Sequence, residues 1–86
     1  MGDYIFWNCT KLEDVKLPSN ISKISIGMFS YCESLKNISI PESVKYIEKR
    51  AFYNCKALTI VKIPINVEYV GIFAFYGCYS IVTVKF

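Results

Sequence analysis

Three kinds of residue recur along this chain at one interval of 23: Pro18, Pro41 and Pro64; Phe6, Phe29, Phe52 and Phe75; and Cys9, Cys32, Cys55 and Cys78. A constant period without insertions is the mark of a solenoid, in which each unit buries its apolar face against its neighbours. The stretch from Pro41 to Ile63 shows the unit whole. Around it the 86 residues divide into a partial unit over 1–17 and units over 18–40, 41–63 and 64–86, all expected to form one solenoid.

Inside a unit, the four residues before each proline alternate outward and inward, as in Asn37-Ile38-Ser39-Ile40 and Ile60-Val61-Lys62-Ile63, and β-branched residues dominate. This pattern predicts a short strand. Strands 23 residues apart are too distant for hairpins and pair in parallel through a crossover. Each proline then stops its strand, because it has no N–H for the ladder. Beyond it, Ile21 with Ile24, Val44 with Ile47 and Val67 with Val70 form apolar pairs three apart, which fit either a brief second strand or an extended arm. From Glu48 to Asn54 the residues are helix-compatible, with Ala51, Phe52 and Cys55 on one face, so one or two turns of α- or 3₁₀-helix are expected. Gly27 and Gly71, near the start of this segment in the other units, suit a sharp change of direction. Leu12, Leu35, Leu58 and Ile81 lead back to the strand.

Four cysteines in a short chain ordinarily suggest two disulfides. Equivalent positions of successive coils, however, sit at the strand spacing of ~4.8 Å with parallel Cβ directions, which suits the disulfide dihedral poorly. A ladder of buried free thiols acting as small apolar fillers is the expected arrangement. On that reading a serine at position 55 puts a hydroxyl in an apolar coil with no assured partner, at a cost of about 1–3 kcal/mol. The chain has no C-x-x-C and no histidine, so neither metal nor cofactor is expected. Its seven acids are dispersed over unrelated repeat positions and its cysteines face inward, so no catalytic residues are expected and the chain is not read as an enzyme. The net charge of +3 comes from scattered lysines and one arginine, too weak a signal for nucleic acid. No apolar run approaches the ~20 residues of a transmembrane helix.

The arrangement Leu58-x-x-Val61-x-Ile63-Pro64-x-x-Val67-x-x-Val70-Gly71-x-x-Ala74-Phe75-x-x-Cys78-x-x-Ile81 resembles the BspA-type leucine-rich repeat, also called the Treponema pallidum type. The resemblance implies a curved solenoid with short parallel strands on the concave side and short helical, 3₁₀ or extended segments on the convex side. It also implies an adhesin-like segment of a surface or secreted protein whose partner is another protein, such as a host matrix protein. Three departures stand out: Glu48 and Ser25 replace an expected glycine, and Met28 replaces an alanine, with local turns rather than the fold expected to change.

By register, the outward strand positions form two columns: Asp14, Asn37, Ile60 and Thr83 in one, and Lys16, Ser39, Lys62 and Lys85 in the other. The second column is mildly basic and suits an acidic partner, although lysines on a sheet face also serve simply as solvated groups that discourage edge pairing. A polyanion at Lys16, Lys62 and Lys85 is the remoter version of the same idea. A second exposed set comprises Trp7, Tyr53 and Tyr76 after the phenylalanines and Tyr46 with Tyr69 in the arm. Such aromatics are common at interface hot spots, and they also pack as lateral ladders between coils. A purely structural spacer, with no ligand of its own, is the alternative to a binding module. Of the sequons at Asn8, Asn20 and Asn37, only Asn20 is expected to be accessible. Phe75, Cys78, Ile81 and Val84 have a neighbouring unit on one side only, so the 86-residue polypeptide is expected to self-associate end to end unless a further unit covers that face.

Overall fold

The computed structural model describes residues 1–85; Phe86, the last residue of the third full unit, lies outside the described residues. Six short strands occur in chain order: β1 (Lys23–Ile24), β2 (Asn37–Ile38), β3 (Tyr46–Ile47), β4 (Ile60–Lys62), β5 (Tyr69–Val70) and β6 (Thr83–Lys85). They form two separate parallel sheets, β1-β3-β5 and β2-β4-β6. The register steps by 23 throughout, pairing Ile24 with Ile47 and Ile47 with Val70 in one sheet, and Ile38 with Val61 and Val61 with Val84 in the other. The expected strand is present before Pro41 and Pro64 and at the equivalent place in the third unit, but none forms over 14–17 before Pro18, where the first coil has no preceding coil to pair with. Of the apolar pairs after the prolines, the second members Ile24, Ile47 and Val70 lie in the other sheet, while Ile21, Val44 and Val67 precede its strands.

The segment between the two sheets departs from the expected helix. From Glu48 to Asn54 there are only turns, and the reason lies in where the amides point. Alternate N–H groups reach forward to the next coil: Arg50 to Ile72 O at 3.1 Å, Phe52 to Ala74 O at 2.7 Å and Asn54 to Tyr76 O at 2.6 Å. The residues between them close turns inside the coil, Ala51 to Glu48 O and Tyr53 to Arg50 O, both at 3.2 Å. An α- or 3₁₀-helix would have sent every one of these donors to a carbonyl four or three residues back, and here only alternate ones do so. Two residues per coil also take left-handed backbone angles that end any helix. One column is Tyr4, Gly27, Arg50 and Phe73, with φ between 56° and 60°, and the other is Asn8, Tyr31, Asn54 and Gly77, with φ between 58° and 77°. Glycine and asparagine adopt this region readily, whereas tyrosine, arginine and phenylalanine are held there by the bonds around them.

On the strand side the donors point the other way. Glu48 N–H bonds Ile24 O at 2.9 Å, Gly71 N–H bonds Ile47 O at 2.7 Å, and Thr59 N–H bonds Lys36 O at 3.1 Å, each reaching to the preceding coil. Each inner coil is thus tied to both neighbours by its backbone. Within this frame, Phe6, Phe29, Phe52 and Phe75 stack with ring centroids 5.2, 5.4 and 5.2 Å apart and planes within 9° of parallel. Ile24, Phe29, Leu35, Val44, Ile47, Phe52 and Leu58 are wholly buried. Met28 is buried with Ala51 and Ala74 in its column, so the departure there changes packing and not the path of the chain. In the outermost coils the same positions are only partly covered, and Val84 is 46% exposed beside an apolar hollow lined by Val61, Phe75 and Ile81.

The two glycines singled out above differ in purpose. Gly27 is the left-handed residue of its turn, and a Cβ there meets the movable Tyr4 ring. Gly71 belongs instead to the column of Ser25 and Glu48, where a Cβ would run into the preceding coil's backbone at the Glu48 carbonyl carbon and the Lys49 amide. Gly71→Ala is accordingly expected to lower stability by about 1–3 kcal/mol through overpacking, read as a fall in the urea midpoint. An unchanged midpoint would mean that neighbouring coils can separate to admit a methyl group.

Candidate functional site

In β2, β4 and β6 the outward columns appear where the register puts them, whereas Asp14 and Lys16 lie in the segment before Pro18, which forms no strand. Asp14, Lys16, Asn37, Ser39, Ile60, Lys62 and Lys85 are exposed and Thr83 is half-buried, while Ile38, Val61 and Ile63 between them face the core. Ile60 carries an apolar side chain that is 47% exposed at the middle of this face, between Asn37 and Thr83 in the paired register. Lys62 lies directly beside Lys85. Where the chain turns at each proline, two open hollows run from coil to coil. One, of about 430 Å³, is lined by Val15, Lys16 and Leu17 together with Ser39 and Pro41; the next, of about 330 Å³, shares Ser39 and Pro41 and adds Asn37, Glu42, Lys62 and Pro64. Lys16, Ser39 and Lys62 of the second column therefore border a groove that crosses the strands along the stack, and Lys85 lies beyond its end beside Lys62.

The aromatic set divides into two groups. Tyr46 and Tyr69 are register partners on the outer face of the β1-β3-β5 sheet, beside Lys23. Trp7, Tyr53 and Tyr76 lie on the turn side, where they join a continuous ribbon with residues the repeat pattern did not single out. Trp7 meets Tyr31 edge-on at 6.4 Å, Tyr31 meets Tyr53 at 5.6 Å, Tyr53 stacks on Tyr76 at 5.2 Å, and Phe73 meets Tyr76 at 5.3 Å. The Arg50 guanidinium sits 5.6 Å from the Tyr53 ring centre. These rings contact one another as a lateral ladder and remain partly open to solvent. Tyr31 escaped the sequence reading because it is one position out of the Trp7, Tyr53 and Tyr76 column. Only side-chain reach between coils brings it in. The accessibility of the sequons also differs from expectation: Asn8 and Asn37 are exposed as well as Asn20, since Asn37 lies on the outward side of β2 and Asn8 sits in a turn.

The cysteine column is more than apolar filling. Three of the four thiols donate to the phenylalanine carbonyl of the preceding coil, Cys32 Sγ to Phe6 O at 3.1 Å, Cys55 Sγ to Phe29 O at 3.1 Å and Cys78 Sγ to Phe52 O at 3.0 Å, and only Cys32 and Cys55 are fully buried, since Cys9 and Cys78 sit in the end coils. Position 55 does therefore offer an acceptor to a hydroxyl, contrary to the expectation for serine there. Cys55→Ser is expected to stay within about 1 kcal/mol of the parent, the net worth of one such bond. A loss above that range in chemical denaturation would return Cys55 to the role of an apolar filler.

Burial pushes the Cys32 thiol up to about 11. The adjacent Cys78 thiol, followed by burial, raises Cys55 as well. A thiol that keeps its proton in the fold contributes nothing pH-dependent while both states are protonated. Above the ordinary value near 9 the unfolded chain releases its proton first, and stability falls as pH rises toward about 11. The urea midpoint of the parent is expected to drop across this window more steeply than that of Cys32→Ala, and identical slopes would show that the thiol is not the group responsible.

Two parallel sheets stacked at a 23-residue register, with phenylalanine and cysteine ladders inside, define a leucine-rich-repeat solenoid. Residues 1–86 match the BspA type leucine rich repeat region in six copies, and the chain belongs to that family. Among solved structures it is similar to a leucine rich cell surface protein of Faecalibacterium prausnitzii, with 38% identity and a TM-score of 0.93. It is also similar to a leucine-rich repeat protein of Bacteroides ovatus, with 32% identity and a TM-score of 0.94. Either match covers 96% of this chain but 22% of the other, so the chain spans about a fifth of the length of these relatives. The T. pallidum leucine rich repeat protein shares the fold at 21% identity, with a TM-score of 0.68 over 99% of this chain and 61% of that one. No curated protein matches the chain. Among the described residues, no helix is long and apolar enough to cross a membrane.

Proposed function

We propose that the chain is a protein-interaction segment of a surface-associated, adhesin-like repeat protein, and that the outward face of β2-β4-β6 is its binding surface. The observation that carries this reading is the contrast between the two sides of the strands. Inward positions repeat one chemistry from coil to coil, whereas the outward column reads Asp14, Asn37, Ile60 and Thr83, with an exposed isoleucine at its centre. Apolar groups surrounded by polar ones at a rigid face are what a protein partner recognises. The Faecalibacterium relative is described as a cell surface protein, and this supports the same location here. The reading is of a binder rather than an enzyme. A spacer without a ligand is the competing role. The turn-side aromatics are the less favoured surface, because their rings already contact one another.

Surface plasmon resonance against a panel of purified extracellular-matrix proteins tests the proposal. Saturable binding is expected, with at least a tenfold loss on Ile60→Asp and little change on Tyr76→Ala. Binding insensitive to Ile60 would overturn the choice of this face, and binding absent across the panel would favour the spacer.

A further inference from the structure

The strand register sets two lysines side by side on the outward face. Lys62 and Lys85 are direct neighbours in a parallel pair, and like charges so placed destabilise a sheet. Lys16 continues the column beyond Ser39. Among the described residues the only ion pair joins Lys56 to Glu33 at 3.6 Å, well away from these three lysines in the repeat. Two hollows linked through Ser39 and Pro41 run beside the column from Lys16 to Lys62, with prolines forming part of their walls, and Lys85 extends the column one step past them. Proline offers no N–H, so an occupant here is read by side chains and charge rather than by adding a strand to the sheet.

Building on the binding face proposed above, we infer that this groove takes an extended acidic peptide segment of the protein partner, lying across the strands with its carboxylates against Lys16, Lys62 and Lys85. Three coil steps at the strand spacing span roughly 14 Å, the length of about four or five extended residues. Three lysines over that distance form a sparse charge, suited to a few carboxylates. Nucleic acids carry charge far more densely, and the groove lacks the aromatic platforms on which bases stack. The apolar wall of Val15, Leu17 and the prolines favours a peptide over a sulfated glycan. Glu42 lines the second hollow and opposes an acidic occupant, which gives the inference a second handle.

The probe is a fluorescein-labelled eight-residue peptide of alternating glutamate and serine, followed by anisotropy at low salt. A heparin oligosaccharide and an oligodeoxynucleotide of equal charge serve as competitors. The 86-residue chain is expected to bind the peptide saturably, to lose at least tenfold on Lys62→Glu with Lys85→Glu, and to gain a few-fold on Glu42→Gln. All three are exposed positions, and circular dichroism confirms folding of the variants. No binding at low salt, indifference to the double reversal, or tighter binding of either competitor would overturn the inference. If binding to a matrix protein depends on Ile60 while the acidic peptide is ignored, the binding face stands and the acidic ligand falls.

Discussion

Inter-coil backbone hydrogen bonding at a fixed offset is the constraint on which the structure depends. On the turn side, Phe29 N–H reaches Ala51 O and Phe52 N–H reaches Ala74 O; on the strand side, Glu48 N–H reaches back to Ile24 O and Gly71 N–H to Ile47 O. A coil held from both sides can neither shift register nor admit an extra residue without misaligning a whole row of donors. This is why the period stays at 23 across the chain. The ladders of side chains follow from the same offset, because any residue type repeated at it lands on its own copy.

That offset also explains how unlike residues share one geometry. Gly27 takes a left-handed angle at little cost, but Tyr4, Arg50 and Phe73 take nearly the same one. For such residues this conformation costs on the order of 1–2 kcal/mol. The surrounding bonds and the packing of Phe29 and Phe52 outweigh it, so conformation here is dictated by the neighbouring coil. Three of the thiols belong to the same scheme, since each offers a weak donor to a carbonyl of the coil before it.

In the proposed reading, binding falls to the positions the scaffold does not use. Outward residues on β2, β4 and β6 are free of ladder duties and differ from coil to coil, which lets a monotonous interior carry a varied face. The lysine column shows the consequence most sharply. A register set by the core brings Lys62 and Lys85 together, and the resulting repulsion is a cost to the sheet that an acidic ligand would offset.

The recurrence of Pro, Phe and Cys was enough by itself to establish the solenoid, its period, the strands before Pro41 and Pro64 and the inward or outward sense of residues such as Val61 and Lys62. These follow from periodicity, which survives in one dimension. The expected helix at Glu48–Asn54 failed because helix-compatible residues say nothing about where their amides point, and here a neighbouring coil claims every other donor. Gly71 looked like a turn glycine, and only the closeness of Glu48 and Lys49 revealed its purpose. The candidate columns were legible from register, whereas the groove beside Lys16 and Lys62, and the ribbon linking Tyr31 to Trp7 and Tyr53, arise from contacts between coils 20 or more residues apart. Spacing along the chain determined which residues repeat; stacking in space decided which of them touch.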